Sequence, residues 1–150
     1  MKIEPYTQER MADVLAFERN LRKEEEGIFN WPIDEKYLKD MEKSFENPAF
    51  DNALTLLAYE DGKVVGRIDS ALICSRFDGS VRAYLDWICV TKSYRHRGVA
   101  QRLMDRLRQE LKARGAETLV GLIAANEEAQ RFYRSMKGAE IRDEGIWIDL

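Results

Sequence analysis

The sequence predicts an α/β domain of the α+β kind, with a mixed, mostly antiparallel sheet flanked by helices. Three observations carry that prediction. Apolar runs at 53–59, 63–74 and 81–90 are separated by Asp61-Gly62 and Asp78-Gly79, pairs suited to hairpin turns, so three consecutive strands form a meander. The 81–90 run is followed by an amphipathic helix and a further apolar run at 117–125, a βαβ crossover that makes its two strands parallel. Periodic helical stretches on either side supply layers to cover the sheet.

In chain order, residues 2–5 form a short edge strand stopped by Pro5. Thr7 N-caps a helix in which Met11, Val14, Leu15, Glu18 and Leu21 share one face. Gly27, Asn30 and Pro32 make 24–33 a loop, one that carries Ile28, Phe29 and Trp31. Asp34 caps a second helix, with Leu38, Met41 and Phe45 inward, ending near Asn47-Pro48. After the meander, the helix over 98–114 turns Val99, Ala100, Leu103, Met104, Leu107 and Leu111 to one side, with Gly115 as its C′ residue. The 117–125 strand is apolar enough to be buried on both faces. A helix over 126–137 turns Ala129, Phe132, Tyr133 and Met136 inward and ends at Gly138. Residues 140–150, centred on Glu144-Gly145, read as a short hairpin. With no repeat, linker or low-complexity tract, 1–150 reads as one domain.

Composition narrows the function. The chain of 150 residues is 45% hydrophobic and 34% charged, ordinary for a packed soluble domain. Its net charge of −3 argues against nucleic acid as a partner. Cys74 and Cys89 sit in apolar runs and read as buried, reduced thiols. The single histidine, His96, leaves too few ligands for a zinc site of the usual kind, so no metal is expected. It also lacks a neighbouring carboxylate to orient it for a Ser-His-Asp mechanism. The start lacks the apolar core of a signal peptide and no run reaches membrane-spanning length, so the expectation is a cytoplasmic protein without a membrane partner.

The chemistry begins at Arg95-His96-Arg97-Gly98-Val99-Ala100, where a strand passes into a helix. A helix start presents unpaired N–H groups and the positive end of its dipole, and so attracts phosphate. Gly98 lets the main chain approach a ligand, and Ala100 keeps the next approach close. Arg95 and Arg97 could add charge-assisted hydrogen bonds, with Lys92 and Arg102 nearby. An ordinary connection with solvated arginines is the alternative. Neither G-x-x-x-x-G-K-[ST] nor G-x-G-x-x-G after a strand occurs.

R-x-x-G-x-A, preceded by Asp86-Trp87-Ile88-Cys89-Val90 and followed by an amphipathic helix, resembles the acetyl-CoA signature of the GNAT superfamily of N-acetyltransferases. The resemblance extends to Asn126 and Phe132-Tyr133, where that family places its second cofactor segment. It implies a GNAT-like fold with two central parallel strands that splay apart, and acetyl-CoA as co-substrate. Carried over, main-chain groups of Ile88, Cys89 and Val90 would bond the pantetheine arm as an added strand would. Amides from His96, Arg97, Gly98, Val99 and Ala100 through Gln101 would hold the pyrophosphate. Two positions depart from the pattern. Lys92 stands where the family often has proline, and Lys137-Gly138-Ala139 replaces its usual Gly-Phe pair with one extra residue.

The same resemblance implies roles for three side chains, and each has a structural alternative. Asn126 would bond the pantetheine arm, yet Glu127 and Glu128 after it suit a helix N-cap. Tyr133 would act as general acid toward the departing thiolate, or be one more aromatic beside Phe132. Asp86 stands where the family often has a glutamate that accepts the amine's proton. It shares a face with Tyr84 and Ile88, and its alternative is an ion pair with Arg67 or Arg82. Asp69 and the Glu24–Glu26 run are further candidate bases. The acceptor pocket is expected from 24–37, the Asp86 strand and the final hairpin, with Phe29 and Trp31 on its apolar side.

The reading is therefore an N-acetyltransferase acting on a small-molecule or peptide amine by direct attack, without an acyl-enzyme. A non-catalytic acyl-CoA-binding or sensing module of the same fold, or transfer of another acyl group, stands as the alternative. Nothing in the sequence sets the oligomeric state, and a homodimer remains open.

Overall fold

The computed structural model describes residues 1–25, 27, 31–142 and 145–148. The chain divides into two units, residues 1–120 and 121–150.

The first unit is built on the meander. Strand β1 (Lys2–Pro5) pairs antiparallel with β2 (Ala53–Glu60), β2 with β3 (Lys63–Cys74), and β3 with β4 (Val81–Val90). Strand β5 (Thr118–Gly121) follows β4 in the sheet order and runs parallel to it. The parallel pair meets where both strands begin: the Glu117 amide donates to the Val81 carbonyl at 3.0 Å. At the β2–β3 turn Asp61 and Gly62 have φ of 50° and 73°, the positive pair a tight hairpin requires.

Helices α1 (Met11–Glu24) and α3 (Val99–Ala113) cover opposite faces of the sheet. Val14, Phe17 and Leu21 of α1 pack with Leu57 and Val64, and Trp87 and Cys89 lie against that cluster. On the other face α3 comes so close that a Cβ at Gly66 would stand 3.0 Å from Val99 Cγ1. Leu57 and Ala58, the latter opposite Gly66, are successive residues, so the pleat turns them to these two faces. Leu56, Ile68, Leu103 and Leu107 are wholly buried, each stabilising the fold by roughly 1.5–3 kcal/mol. Helix α2 (Glu35–Ser44) opens as expected on Asp34, whose side chain accepts from the Tyr37 amide at 2.8 Å.

Several local expectations change. Thr7 precedes a 3-10 turn over Gln8–Arg10 and makes no side-chain capping bond. Cys74 is exposed, because β3 runs past the core at its end, where Ile73 is already 52% exposed. Strand β5 is shorter than 117–125 and is not buried on both faces, since it is last in the order of the described strands.

The second unit contains α4 (Glu127–Arg134). Asn126 caps it, its Oδ1 accepting from the Ala129 amide at 2.8 Å, as the capping alternative anticipates. Gly138 follows with φ 77°. The expected terminal hairpin is not found: none of the described residues between 139 and 148 forms a strand. Gly145 does not adopt the left-handed conformation of a turn glycine. Instead, a Cβ there would meet Leu122 at 2.8 Å, so the residue serves close packing. The remaining hairpin residues, Asp143, Glu144, Asp149 and Leu150, lie outside the described residues.

Candidate active site

The turn between β4 and α3 is shaped by its main chain. A 3-10 turn over Lys92–Tyr94 leads to Arg95, after which His96 has φ 59° and Gly98 φ 77°. Arg97 is thus flanked by two residues with positive φ. Gly98 is the N-cap of α3 and has no side chain to bond the first amides, so those of Val99, Ala100 and Gln101 lack the usual capping partner. A Cβ at Gly98 would meet nothing within 4 Å, which leaves open space over that helix start. Such a start suits an anion. Arg97 lies over the Tyr94 ring at 4.9 Å, and the carbonyl of Gly98 accepts from the Arg102 amide at 3.0 Å.

The neighbouring strand supplies a second surface. The Thr91 amide donates to the Val65 carbonyl at 3.0 Å. Alternation in the ladder then turns the peptide groups of Cys89 towards β3 and those of Ile88 and Val90 away from it. Of the three residues expected to present main-chain groups to a pantetheine arm, Ile88 and Val90 therefore face the right way and Cys89 does not. The Cys89 thiol is partly buried, and burial pushes its pKa up to about 11.

Arg95, expected to add a charge-assisted bond to phosphate, has partners within the protein. Its Nη1 and Nη2 donate to the two carboxylate oxygens of Glu25 at 2.7 and 2.5 Å, and its Nε donates to the Val90 carbonyl at 3.1 Å. Beside it, Glu24 accepts from Ser93 Oγ at 2.8 Å and from the Ser93 amide at 3.3 Å. Although burial opposes it, these bonds hold the Glu24 carboxyl below its ordinary pKa. Glu24 and Glu25 thus fasten the end of α1 to the turn, and neither is placed to act as a base. Glu26, the third member of that run, lies outside the described residues.

A cavity of about 580 Å³ opens on the α1 face, lined by Glu18, Trp31, Tyr37, Arg67, Asp69, Asp86 and Trp87. Asp86 reaches it because of a β-bulge. Asp69 pairs with Trp87 and Ser70 with Leu85, so Asp86 is the extra residue of β4. A bulge re-aims the residues beside it. It also puts Tyr84 and Ile88 on opposite faces, where an unbroken strand would have kept them together with Asp86. The Asp86 carboxylate is exposed and, among the described residues, has no ion-pair partner. Arg67 and Arg82, the proposed partners, are engaged elsewhere. Arg82 meets Asp78 at 3.3 Å.

Arg67 organises the floor. Its Nε and Nη2 fork onto Asp69 at 2.7 and 2.8 Å, and its Nη1 donates to Glu18 Oε1 at 3.2 Å. Thr55 Oγ1 donates to Asp69 at 2.6 Å. With both oxygens engaged, Asp69 is not a ready base. Glu18, only 2% exposed, also accepts from the Tyr37 hydroxyl at 2.6 Å. Burial, and then that bond, raise the Tyr37 pKa. The remaining oxygen of Glu18 is buried without a hydrogen bond, 3.7 Å from Arg22 Nη1. Arg22 also donates to the Trp31 carbonyl at 2.9 Å, and the Trp31 ring meets Trp87 edge-on at 6.4 Å between centroids. Phe29, the other expected apolar wall, lies outside the described residues. The sequence reading missed Trp87 and the Arg67 floor; the one signal was Glu18, a charge on the apolar face of α1.

In the second unit, Tyr133 is half-buried and its ring lies 5.3 Å from that of Phe132. Burial raises its phenol pKa, which keeps the hydroxyl protonated.

The sequence matches the acetyltransferase (GNAT) family over residues 5–138, and the chain belongs to that family. No curated protein sequence matches it. Among solved structures it is similar to an aminoglycoside acetyltransferase from an uncultured soil metagenomic sample in complex with sisomicin, with TM-score 0.79, 20% identity, and 99% of this chain and 95% of that one covered. It is also similar to a ribosomal-protein-alanine N-acetyltransferase from Brucella melitensis, with TM-score 0.78, 19% identity and coverage of 99% and 96%. A third is an aminoglycoside N-acetyltransferase in complex with CoA, with TM-score 0.72, 18% identity and 99% of each chain covered. At these identities the likeness concerns the fold.

Proposed function

We propose that the chain is a cytoplasmic, single-domain N-acetyltransferase that moves the acetyl group of acetyl-CoA to a primary amine by direct attack. The observation that carries this is the uncapped start of α3 behind left-handed Gly98, beside the outward-facing peptide groups of Ile88 and the outward-facing amide of Val90. These are the features a pyrophosphate and an amide-bearing arm need. The family match spans both units, which supports reading 1–150 as one domain.

Bound acetyl-CoA supplies an activated thioester. The amides of Val99, Ala100 and Gln101 hold its pyrophosphate, with those of His96, Arg97 and Gly98 beside them. Ile88 and Val90 orient the arm, and Asn126 bonds it. An ammonium has no lone pair, so Asp86 accepts a proton from the acceptor amine, directly or through water. Tyr133 donates a hydrogen bond or proton to the departing thiolate, which would otherwise reverse the reaction. Cys89 is a poor covalent nucleophile because burial pushes the pKa of its partly buried thiol up to about 11.

The acceptor is read as a small-molecule amine. Trp31 and Trp87 cover its apolar part, and the Asp86 carboxylate attracts its charge. The aminoglycoside acetyltransferases among the similar structures support that class, and the ribosomal-protein enzyme keeps a peptide amine as the alternative.

Thiol release from acetyl-CoA across a panel of aminoglycoside, polyamine and peptide amines tests the reading. Release that depends on one amine class supports it and selects the acceptor. Binding of CoA with no amine-dependent release assigns a sensing module instead, and release with another acyl-CoA in place of acetyl-CoA changes the donor.

A further inference from the structure

Arg95 is the first basic residue of the cofactor turn, yet its guanidinium faces the protein. Both oxygens of Glu25 receive it, at 2.7 and 2.5 Å, and its Nε is on the Val90 carbonyl at 3.1 Å. The two side chains are 23% and 12% exposed, so this is a forked pair sheltered from water. A guanidinium whose charge is already matched by a carboxylate offers little attraction to a phosphate.

The position of Glu25 is itself informative. Glu24 and Glu25 stand at the C-terminal end of α1, where the helix dipole disfavours anions. Their contacts run to Ser93 and Arg95, the residues just before the left-handed His96. A non-glycine residue persists in that conformation where its surroundings over-determine it.

We propose that Glu25 and Arg95 are a positioning pair, which sets the course of the 95–101 turn so that its amides converge on the coenzyme A pyrophosphate, and that Arg95 is not itself a phosphate ligand. This rests on the reading that the turn binds coenzyme A. The proposal and the sequence expectation predict opposite signs for one substitution. If Arg95 contacted phosphate, Glu25→Gln would remove a competing anion and tighten binding. As a positioning pair, Glu25→Gln weakens it.

The test is calorimetric titration of coenzyme A into the full chain and its variants, with steady-state kinetics beside it. Glu25→Gln is expected to weaken coenzyme A binding about tenfold. The KM for acetyl-CoA rises with it, while kcat and the KM for the amine hold. Arg95→Lys keeps the charge but loses the fork, so it matches Glu25→Gln, and the double variant is no worse than either. Where Glu25→Gln does not fold, Arg95→Lys gives the same reading. Asp40→Asn, which breaks the exposed Lys36–Asp40 pair, leaves binding unchanged. Unchanged or tighter binding by Glu25→Gln, or full affinity in Arg95→Lys, overturns the pair. Absence of coenzyme A binding by the unaltered protein overturns the functional reading, and the pair with it.

Discussion

The turn before α3 and the cavity on the α1 face lie in the same unit but are made of different material. The turn is a short run of adjacent residues whose working groups are peptide amides, set by the backbone angles of His96 and Gly98. The cavity is assembled from side chains on α1, the loop at Trp31, α2, β3 and β4, with Asp86 turned into it by one extra residue in its strand. Peptide amides are the same in every sequence, so the turn can serve an invariant partner. Side chains differ, so under the proposed function selectivity for the acceptor would belong to the cavity.

That contrast can be broken in order of effect. Asp86→Asn should lower kcat about a hundredfold while leaving coenzyme A affinity alone, because it removes a proton acceptor and nothing at the turn. Unaltered turnover would mean the cavity binds without doing chemistry. Tyr133→Phe should lower turnover at least about tenfold, again with coenzyme A affinity kept. Burial holds the Tyr133 phenol above its usual pKa of about 10, so its acid form lasts through the neutral range and is lost only as the pH rises beyond it. A wild-type alkaline limb near neutrality that vanishes in Tyr133→Phe would contradict this assignment.

The same division explains what the sequence made legible. The hairpin turn at Asp61-Gly62, the capping by Asp34 and Asn126, and the glycine at the start of α3 all depend on neighbours within a few residues. Each follows from a local pattern. The bulge at Asp86 does not, because it is a property of two strands in register, and it moved Tyr84 and Ile88 to opposite faces. The partners of Arg67 lie at Glu18 and Asp69, and that of Arg95 at Glu25, 70 residues earlier. The place of Arg95 three residues before Gly98 suggests a phosphate ligand, and its pairing with Glu25 is invisible to any local pattern. The terminal hairpin shows the same limit. Glu144-Gly145 carries a turn pattern, yet Gly145 is shaped by its contact with Leu122.

The central claim is that the α3 start behind Gly98 holds coenzyme A. Calorimetric titration of coenzyme A into the unaltered protein and into folded Gly98→Val tests it most directly. Valine would place a branched side chain in the open space at the α3 N-cap, at a φ of 77° that such residues rarely adopt. Saturable, one-to-one binding to the unaltered protein is expected, with at least about a tenfold loss in Gly98→Val. Equal binding by a folded Gly98→Val protein would contradict it.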